Sequence, residues 1–359
     1  MTAGAMRQGR SLLLVTATAA VAIAAVTASC HGDDAKPIDS KAPTAPTALA
    51  DGLAATGQTQ QVTCPQGAVT VHDGADLTSA LASASPGSVI RMADGTYAGG
   101  FVITKAGTEA QPIWLCGSGN AVLDGGNDTD YILHLDHAAF IRLVGFSVRN
   151  GKKGVMADAT QHSVIAGLRV SAIGDEAIHL RDSSSDNLVI GNTVRDTGRR
   201  SEKFGEGIYV GSADSNWCKI SHCGPDTSDR NFIIGNDIAG TTAENIDIKE
   251  GTTGGVISGN MLSSDGMTDG GGDSWIDLKG NGWIVEKNTG KPGGAIKDGI
   301  QEHVVKEGWG RRNIIRKNML VVNAAGFGIY IHEKDIGNVV GCDNQVVGAA
   351  AGLSNVACS

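Results

Sequence analysis

One short pattern returns six times in the chain with the same kinds of residue in the same slots. The segments are AIHLR (177–181), GIYVG (207–211), NIDIK (245–249), WIDLK (275–279), GIQEH (299–303) and GIYIH (328–332). Each reads as a short strand. Ile178, Ile208, Ile246, Ile276, Ile300 and Ile329 fill one apolar slot. The next slot holds His179, Tyr209, Asp247, Asp277, Gln301 and Tyr330. Two positions further on stand Arg181, Gly211, Lys249, Lys279, His303 and His332. Side chains alternate between the two faces of a strand. The isoleucines therefore point one way and both polar sets the other. Stacked strands would carry the polar sets as two columns on one outer face, which is how a sheet builds a long groove for a chain-like ligand.

The spacing predicts stacking. Successive marker isoleucines are 30, 38, 30, 24 and 29 residues apart, and upstream Ile132, Val155 and Ile178 are each 23 apart. A period in the twenties with loop-sized insertions marks a solenoid. A second apolar run recurs behind each strand and closes on Asn192, Asn236, Asn260, Asn288 or Asn318. Asparagine suits a corner because it tolerates the left-handed backbone region, and stacked asparagines bond from rung to rung. Helical periodicity is nearly absent after residue 90, and 51 glycines fit many tight corners. A leucine-rich solenoid is excluded, because its leucine spacing and helical return segment are missing. The expected fold is all-β, a single-stranded parallel β-helix spanning residues 62–359, and a monomer is expected.

The net charge of -9 argues against a nucleic-acid binder, which needs a broad basic surface. A polyanionic substrate would need a local basic stripe or a bound cation. Arg7 and Arg10 precede an apolar stretch that ends in Val26-Thr27-Ala28-Ser29-Cys30. This is similar to a bacterial lipoprotein signal, which implies cleavage before Cys30, a lipid anchor on that cysteine, and a cell-surface, periplasmic or secreted protein. Residues 31–61 read as a disordered tether. The six remaining cysteines suit an exported protein. Proximity pairs Cys218 with Cys223 and Cys342 with Cys358, which leaves Cys64 with Cys116, among 15 possible connectivities.

Residues 76–97, DLTSALASASPGSVIRMADGTY, resemble the entry to the pectate-lyase-like right-handed parallel β-helix proteins. The resemblance implies a short helix near residues 76–84 that caps the solenoid with Leu77, Ala80, Leu81 and Ala84. The segment Ala243–Lys249, AENIDIK, resembles the catalytic rung of polysaccharide lyase family six. That resemblance implies Glu244 as a calcium ligand and Lys249 as a base. The arginine that the family places one coil later is replaced by Lys279. Family nine lyases share the calcium and the lysine.

β-Elimination from a uronate needs a neutral base and a neutralised carboxylate. Lys249 and Lys279 would lie about 5 Å apart. They would repel by about 3 kcal/mol at an effective dielectric near 20, which favours releasing one proton. Asp247 and Asp277 oppose that release. Calcium would find oxygens in Glu244, Asp247 and Asp277, with Glu206 and Glu176 in matching slots. The expected activity is cleavage of an acidic polysaccharide by a lyase. Lys249 and Lys279 are the catalytic candidates, and His179, Arg181, Tyr209, His303, Tyr330 and His332 the substrate-contacting ones. Two other classes remain open at this stage: a glycoside hydrolase using Asp247 and Asp277, and a non-catalytic glycan-binding lipoprotein. A structural salt-bridge ladder is the plain reading of the charged columns.

Overall fold

Each coil of the chain gives one strand to each of three parallel sheets. The computed structural model describes residues 62–359, so the expected signal segment, Cys30 and the tether lie outside the described residues. One sheet has 11 strands, from Val69–Val71 to Val339–Val340. A second has 10, from Phe101–Ile103 to Gly352–Ser354, and the third has 10, from Gly95–Ala98 to Gln345–Ala349. Strands of few residues suffice because each pairs with the coil before and the coil after. The protein is an all-β parallel β-helix.

The second sheet carries the repeated pattern, and its register matches the expected slots. Ile178, Ile208, Ile246, Ile276, Ile300 and Ile329 pair in one inward column. His179, Tyr209, Asp247, Asp277, Gln301 and Tyr330 pair in the next, outward one. The pattern slips upstream by one residue: Leu133, not Ile132, pairs with Val155. Both side chains are buried. In the strand Tyr131–Asp136 the alternation runs Leu133 in, His134 out, Leu135 in, so Ile132 is out of phase with the inward column although it too is buried.

The asparagine ladder is present, for a different backbone reason than expected. The left-handed residues are Gly191, Gly235, Gly259, Lys287 and Lys317, each just before its asparagine. The asparagine itself turns inward and is buried. Asn260 shows the pattern: its Nδ2 donates to the Ile233 carbonyl and to Asn288 Oδ1, both at 2.9 Å. Its Oδ1 accepts from the backbone N–H and Nδ2 of Asn236. The ladder runs from Asn192 to Asn344. The polar atoms of the buried asparagine side chain are thereby satisfied by the coils on either side.

The capping helix runs Gly74–Ser83, two residues earlier than expected at its start. Asp73 caps it by accepting from the Asp76 N–H at 2.9 Å. Leu77 and Leu81 seal the first coil. The disulfides join Cys64 to Cys116, Cys218 to Cys223 and Cys342 to Cys358, as the proximity argument expects. They are those of a protein matured in an oxidising compartment. Among the described residues no helix is long and apolar enough to cross a membrane.

Candidate active site

The outer face of the second sheet is a floor, and the loops on its two edges are walls. One wall is the insertion after strand Ile208–Val210, which contains the short helix Trp217–Ile220. It is tied down where Asp226 accepts from the hydroxyls of Ser212 and Ser228 and from the N–H groups of Asp182 and Ser183. Asp214 N–H reaches Glu250 Oε1 across the floor edge. The other wall is the segment before the same strand, with the short turn Glu202–Phe204. Thr242 Oγ1 donates to the Glu202 carbonyl, and Thr268 Oγ1 donates to Glu202 Oε2.

Between the walls lies a cleft of about 580 Å³. Its floor runs from Tyr131 to Lys249 and includes Lys153, His179, Arg181 and Tyr209. Lys152 and Arg200 line one side, and Lys203 and Lys219 stand on opposite walls. The acids there are Asp175, Glu176 and Glu206. An acidic protein thus concentrates cations along one groove, the local basic stripe that a polyanion requires.

Lys249 closes this cleft at one end. Beyond it the floor is covered: Asp277 is 5%, Lys279 9% and Gln301 2% exposed. The columns are therefore not an open solvated face, as the alternation alone suggests. Asp247, Asp277, Lys279 and Gln301 are buried, whereas Tyr330 is half-buried and His332 exposed. Asp247 Oδ2 lies 2.6 Å from Lys249 Nζ, and its Oδ1 lies 2.7 Å from Lys279 Nζ. Lys279 Nζ is also 2.9 Å from Asp277 Oδ2, and His303 Nε2 lies 3.5 Å from Asp277 Oδ1. A buried charge ladder and a groove residue thus share one cluster.

The electrostatics follow from these distances. Burial works to lower the Lys249 pKa, but the charge and hydrogen bond of Asp247, with Glu206 and Asp277, raise it above the usual lysine range. The balance at Lys279 is the same, with Asp247 and Asp277 outweighing burial. The carboxylates therefore prevail over lysine–lysine repulsion, and both amines are charged. Burial would raise Asp277, yet Lys279 and His303 hold it well below the ordinary carboxyl value. Tyr209 is the opposite case. Burial, then Asp247 and Glu206, push its phenol well above its ordinary value, so it is neutral. Its ring lies 4.9 Å from Lys249 Nζ.

A third polar column, two residues before each isoleucine, completes the site. It holds Glu176, Glu206 and Glu244. Lys153, in the same slot one coil earlier, bonds both oxygens of Glu176. Among the described residues Glu206 and Glu244 have no such partner. Burial, then Asp247 and Glu176, raise Glu206 to about 8. Burial, then Asp277 and Asp247, raise Glu244 well above the usual glutamate value. Oxygens of Glu206, Glu244 and Asp247 lie within 4.8 Å of one another, as do those of Glu244, Asp273 and Asp277.

The expected site residues thus separate. The cleft brings together His179, Arg181, Tyr209 and Lys249. His179 is buried, with Nδ1 3.0 Å from Glu176 Oε1 and Nε2 donating to the Gly211 carbonyl at 2.9 Å. Arg181 forks onto Asp158 and donates to the Tyr131 hydroxyl. Lys279, Asp247 and Asp277 lie in the cluster beneath. His303, Tyr330 and His332 do not line the cleft. They form a separate ring group, with His303 and His332 centroids 5.3 Å apart and those of Tyr330 and His332 5.8 Å apart. Sequence reading missed Lys152, Lys153, Arg200, Lys203, Phe204, Lys219 and Asp273. For Lys153 a signal existed, since it shares the slot of Glu176. The wall residues come from irregular loops with no repeat to betray them.

A face-laid groove with a basic floor and a lysine beside a tyrosine defines a polysaccharide lyase of the pectate-lyase-like β-helix class. An alginate lyase from Paenibacillus sp. str. FPU-7 superposes with a TM-score of 0.76 at 33% identity, covering 81% of this chain and 99% of that one. The chain belongs to the family of that enzyme. Pectate lyase Pel9A shares the fold at 15% identity and a TM-score of 0.55, over 79% of each chain. So does tailspike protein 2 of bacteriophage CBA120, at 11% identity and 0.54, over 78% of this chain and 43% of that one. No protein-family model and no curated protein sequence matches the chain. Asp277 is ill suited to be the general acid of a hydrolase, because its contacts with Lys279 and His303 favour the ionised carboxylate and a general acid must carry a proton.

Proposed function

We propose that the protein cleaves an acidic, uronate-containing polysaccharide by β-elimination, with alginate the foremost substrate. The observation that carries this reading is the cation-lined cleft that ends at Lys249 and Tyr209 in a chain of net charge -9. The substrate class is supported by the Paenibacillus relative, an alginate lyase. Lys152, Lys153, Arg181 and Arg200 would meet the regularly spaced carboxylates. Lys249 Nζ, in the neutral form left once its own proton has passed to solvent, takes the proton from the carbon beside the carboxylate. The electron pair left behind forms the new carbon–carbon double bond, and the bond to the glycosidic oxygen breaks. The neutral Tyr209 phenol gives that oxygen its proton. Tyr209 fits this role better than Lys279, whose amine is held by two carboxylates. Lys279 instead supports the site from beneath by fixing Asp247. His303, Tyr330 and His332 would touch polymer only where it continues past the covered rungs. Incubation with alginate should generate unsaturated uronate, read as new ultraviolet absorbance. Shortened chains without absorbance, or no cleavage of alginate at all, would overturn the assignment.

Calcium is the cation we propose for Glu206, Glu244, Asp247 and Asp277. The residues fit a hard cation: Glu206 Oε2 is buried without a hydrogen-bond partner, and several carboxyl groups crowd together. When bound, calcium would offset the substrate carboxylate and draw Asp247's charge away from Lys249. A test independent of turnover follows from Glu206. Its folded pKa of about 8 lies above its unfolded value of 4.5. This group's contribution to stability is therefore fully present below about pH 4.5 and is lost as pH rises through about 8. Calcium needs the deprotonated carboxylates and removes that loss. The rise in Tm on adding calcium to chelator-treated protein should be larger at about pH 8 than at about pH 5. Equal Tm values with calcium and with chelator at the higher pH would leave the cluster without a metal role.

A further inference from the structure

We infer that Phe204 is a sugar-stacking platform that sets polymer affinity at the subsite beside Lys249 and Tyr209, an inference that rests on the lyase reading above. Phe204 is 56% exposed, an unusual state for a large apolar ring. It is not a frayed tip. Its turn, Glu202–Phe204, is pinned at Glu202 by Thr242 and Thr268, and Thr197 Oγ1 donates to the Gly205 carbonyl immediately after it. The backbone on either side of the ring is thus fixed while the ring is left to water.

Its place in the coil decides what it faces. Phe204 lines the cleft four residues before Ile208, so it belongs to the coil that carries Tyr209. Ile220, on the opposite wall, lines the same cleft and belongs to the insertion that follows that strand. Lys203 and Lys219 adjoin the two apolar residues in sequence, and both line the cleft. This alternation matches the chemistry of a uronate. A pyranose ring offers apolar C–H faces, and its carboxylate projects from the edge. An aromatic face takes the first and an ammonium takes the second. A groove selecting only for charge would have no use for an exposed phenylalanine between cations. The ring is preorganised by its anchored turn, so little ordering cost falls on binding.

The experiment compares Phe204→Ala, Phe204→Trp and the unaltered protein on polymeric alginate, together with binding of alginate oligosaccharides to Lys249→Ala with and without Phe204→Ala. Phe204→Ala should raise KM about 10-fold, the loss of one stacking contact, with kcat within a factor of two and an unchanged Tm. Phe204→Trp should restore the KM. Oligosaccharide affinity should fall by the same factor in the double variant. An unchanged KM and affinity in Phe204→Ala would overturn the platform while leaving the lyase reading intact. A fall in kcat with KM unchanged, or a lowered Tm, would equally overturn it by assigning the ring to loop structure. Failure of the unaltered protein to cleave or bind alginate would overturn both readings together.

Discussion

Lys249→Ala is expected to lower turnover by about 10³-fold or more while leaving the fold intact. Turnover falls because the variant removes the proton acceptor at the closed end of the cleft. The fold survives because Asp247, the carboxylate that Lys249 leaves behind, keeps its 2.7 Å ion pair with Lys279. No buried charge is orphaned, so the large penalty for breaking a buried pair does not arise. Lys249→Arg is the more telling variant. It preserves the charge and the contact with Asp247, but guanidinium does not shed its proton near neutral pH. It should be as inactive as the alanine variant and at least as stable. A lysine that served only as one step of a salt-bridge ladder predicts the reverse, with arginine tolerated and alanine costing stability. Initial rates by ultraviolet absorbance and Tm by calorimetry on the two variants decide, and substantial turnover by Lys249→Ala ends the assignment of the base.

The fold was legible because a β-helix writes its geometry into the sequence one coil at a time. Each coil must present an apolar side chain to the same core, so Ile178, Ile208, Ile246, Ile276, Ile300 and Ile329 recur in register. The corner asparagines recur because each satisfies the one before it, as Asn260 does for Asn236. The single slip, Ile132 for Leu133, occurs where two adjacent apolar residues make the phase of a period-two pattern ambiguous. The site was legible only in part. Alternation tells which side chains leave the core, not what then covers them. Asp277, Lys279 and Gln301 leave the core and are nevertheless buried. Segments between the strands supply Arg200, Lys203, Phe204 and Lys219 to the cleft. Their positions depend on long-range anchors such as Thr268 to Glu202, 66 residues apart, which no local pattern encodes. The burial of the ladder has a further consequence: it moves Lys279 from the groove to the supporting structure, and that displacement has a measurable result of its own.

Lys279→Ala is expected to be the most destabilising single change in the site. Its ammonium lies 2.7 Å from Asp247 and 2.9 Å from Asp277, and all three side chains are nearly out of reach of water. Removing it leaves Asp277 buried without its main counter-charge and beside Glu244, whose pKa burial and the charges of Asp277 and Asp247 already raise. Breaking a buried pair from one side costs about 3–5 kcal/mol, which for a chain of this size is a fall in Tm on the order of 10 °C. Removing the orphaned carboxylate as well should cost less than removing the lysine alone, so Lys279→Met combined with Asp277→Asn, which leaves Asp247 paired with Lys249, should recover much of the lost Tm. Catalysis supplies the second readout. Without the positive charge of Lys279, Asp247 interacts with Lys249 alone and holds its proton more tightly. The pH–rate profile of Lys279→Ala, measured well below its Tm, should therefore shift to higher pH with much of kcat recovered there. A general acid lost from the site would behave differently: turnover would be missing at every pH, and the Tm would barely move. That outcome would return Lys279 to the reacting atoms and displace Tyr209 from the role of acid.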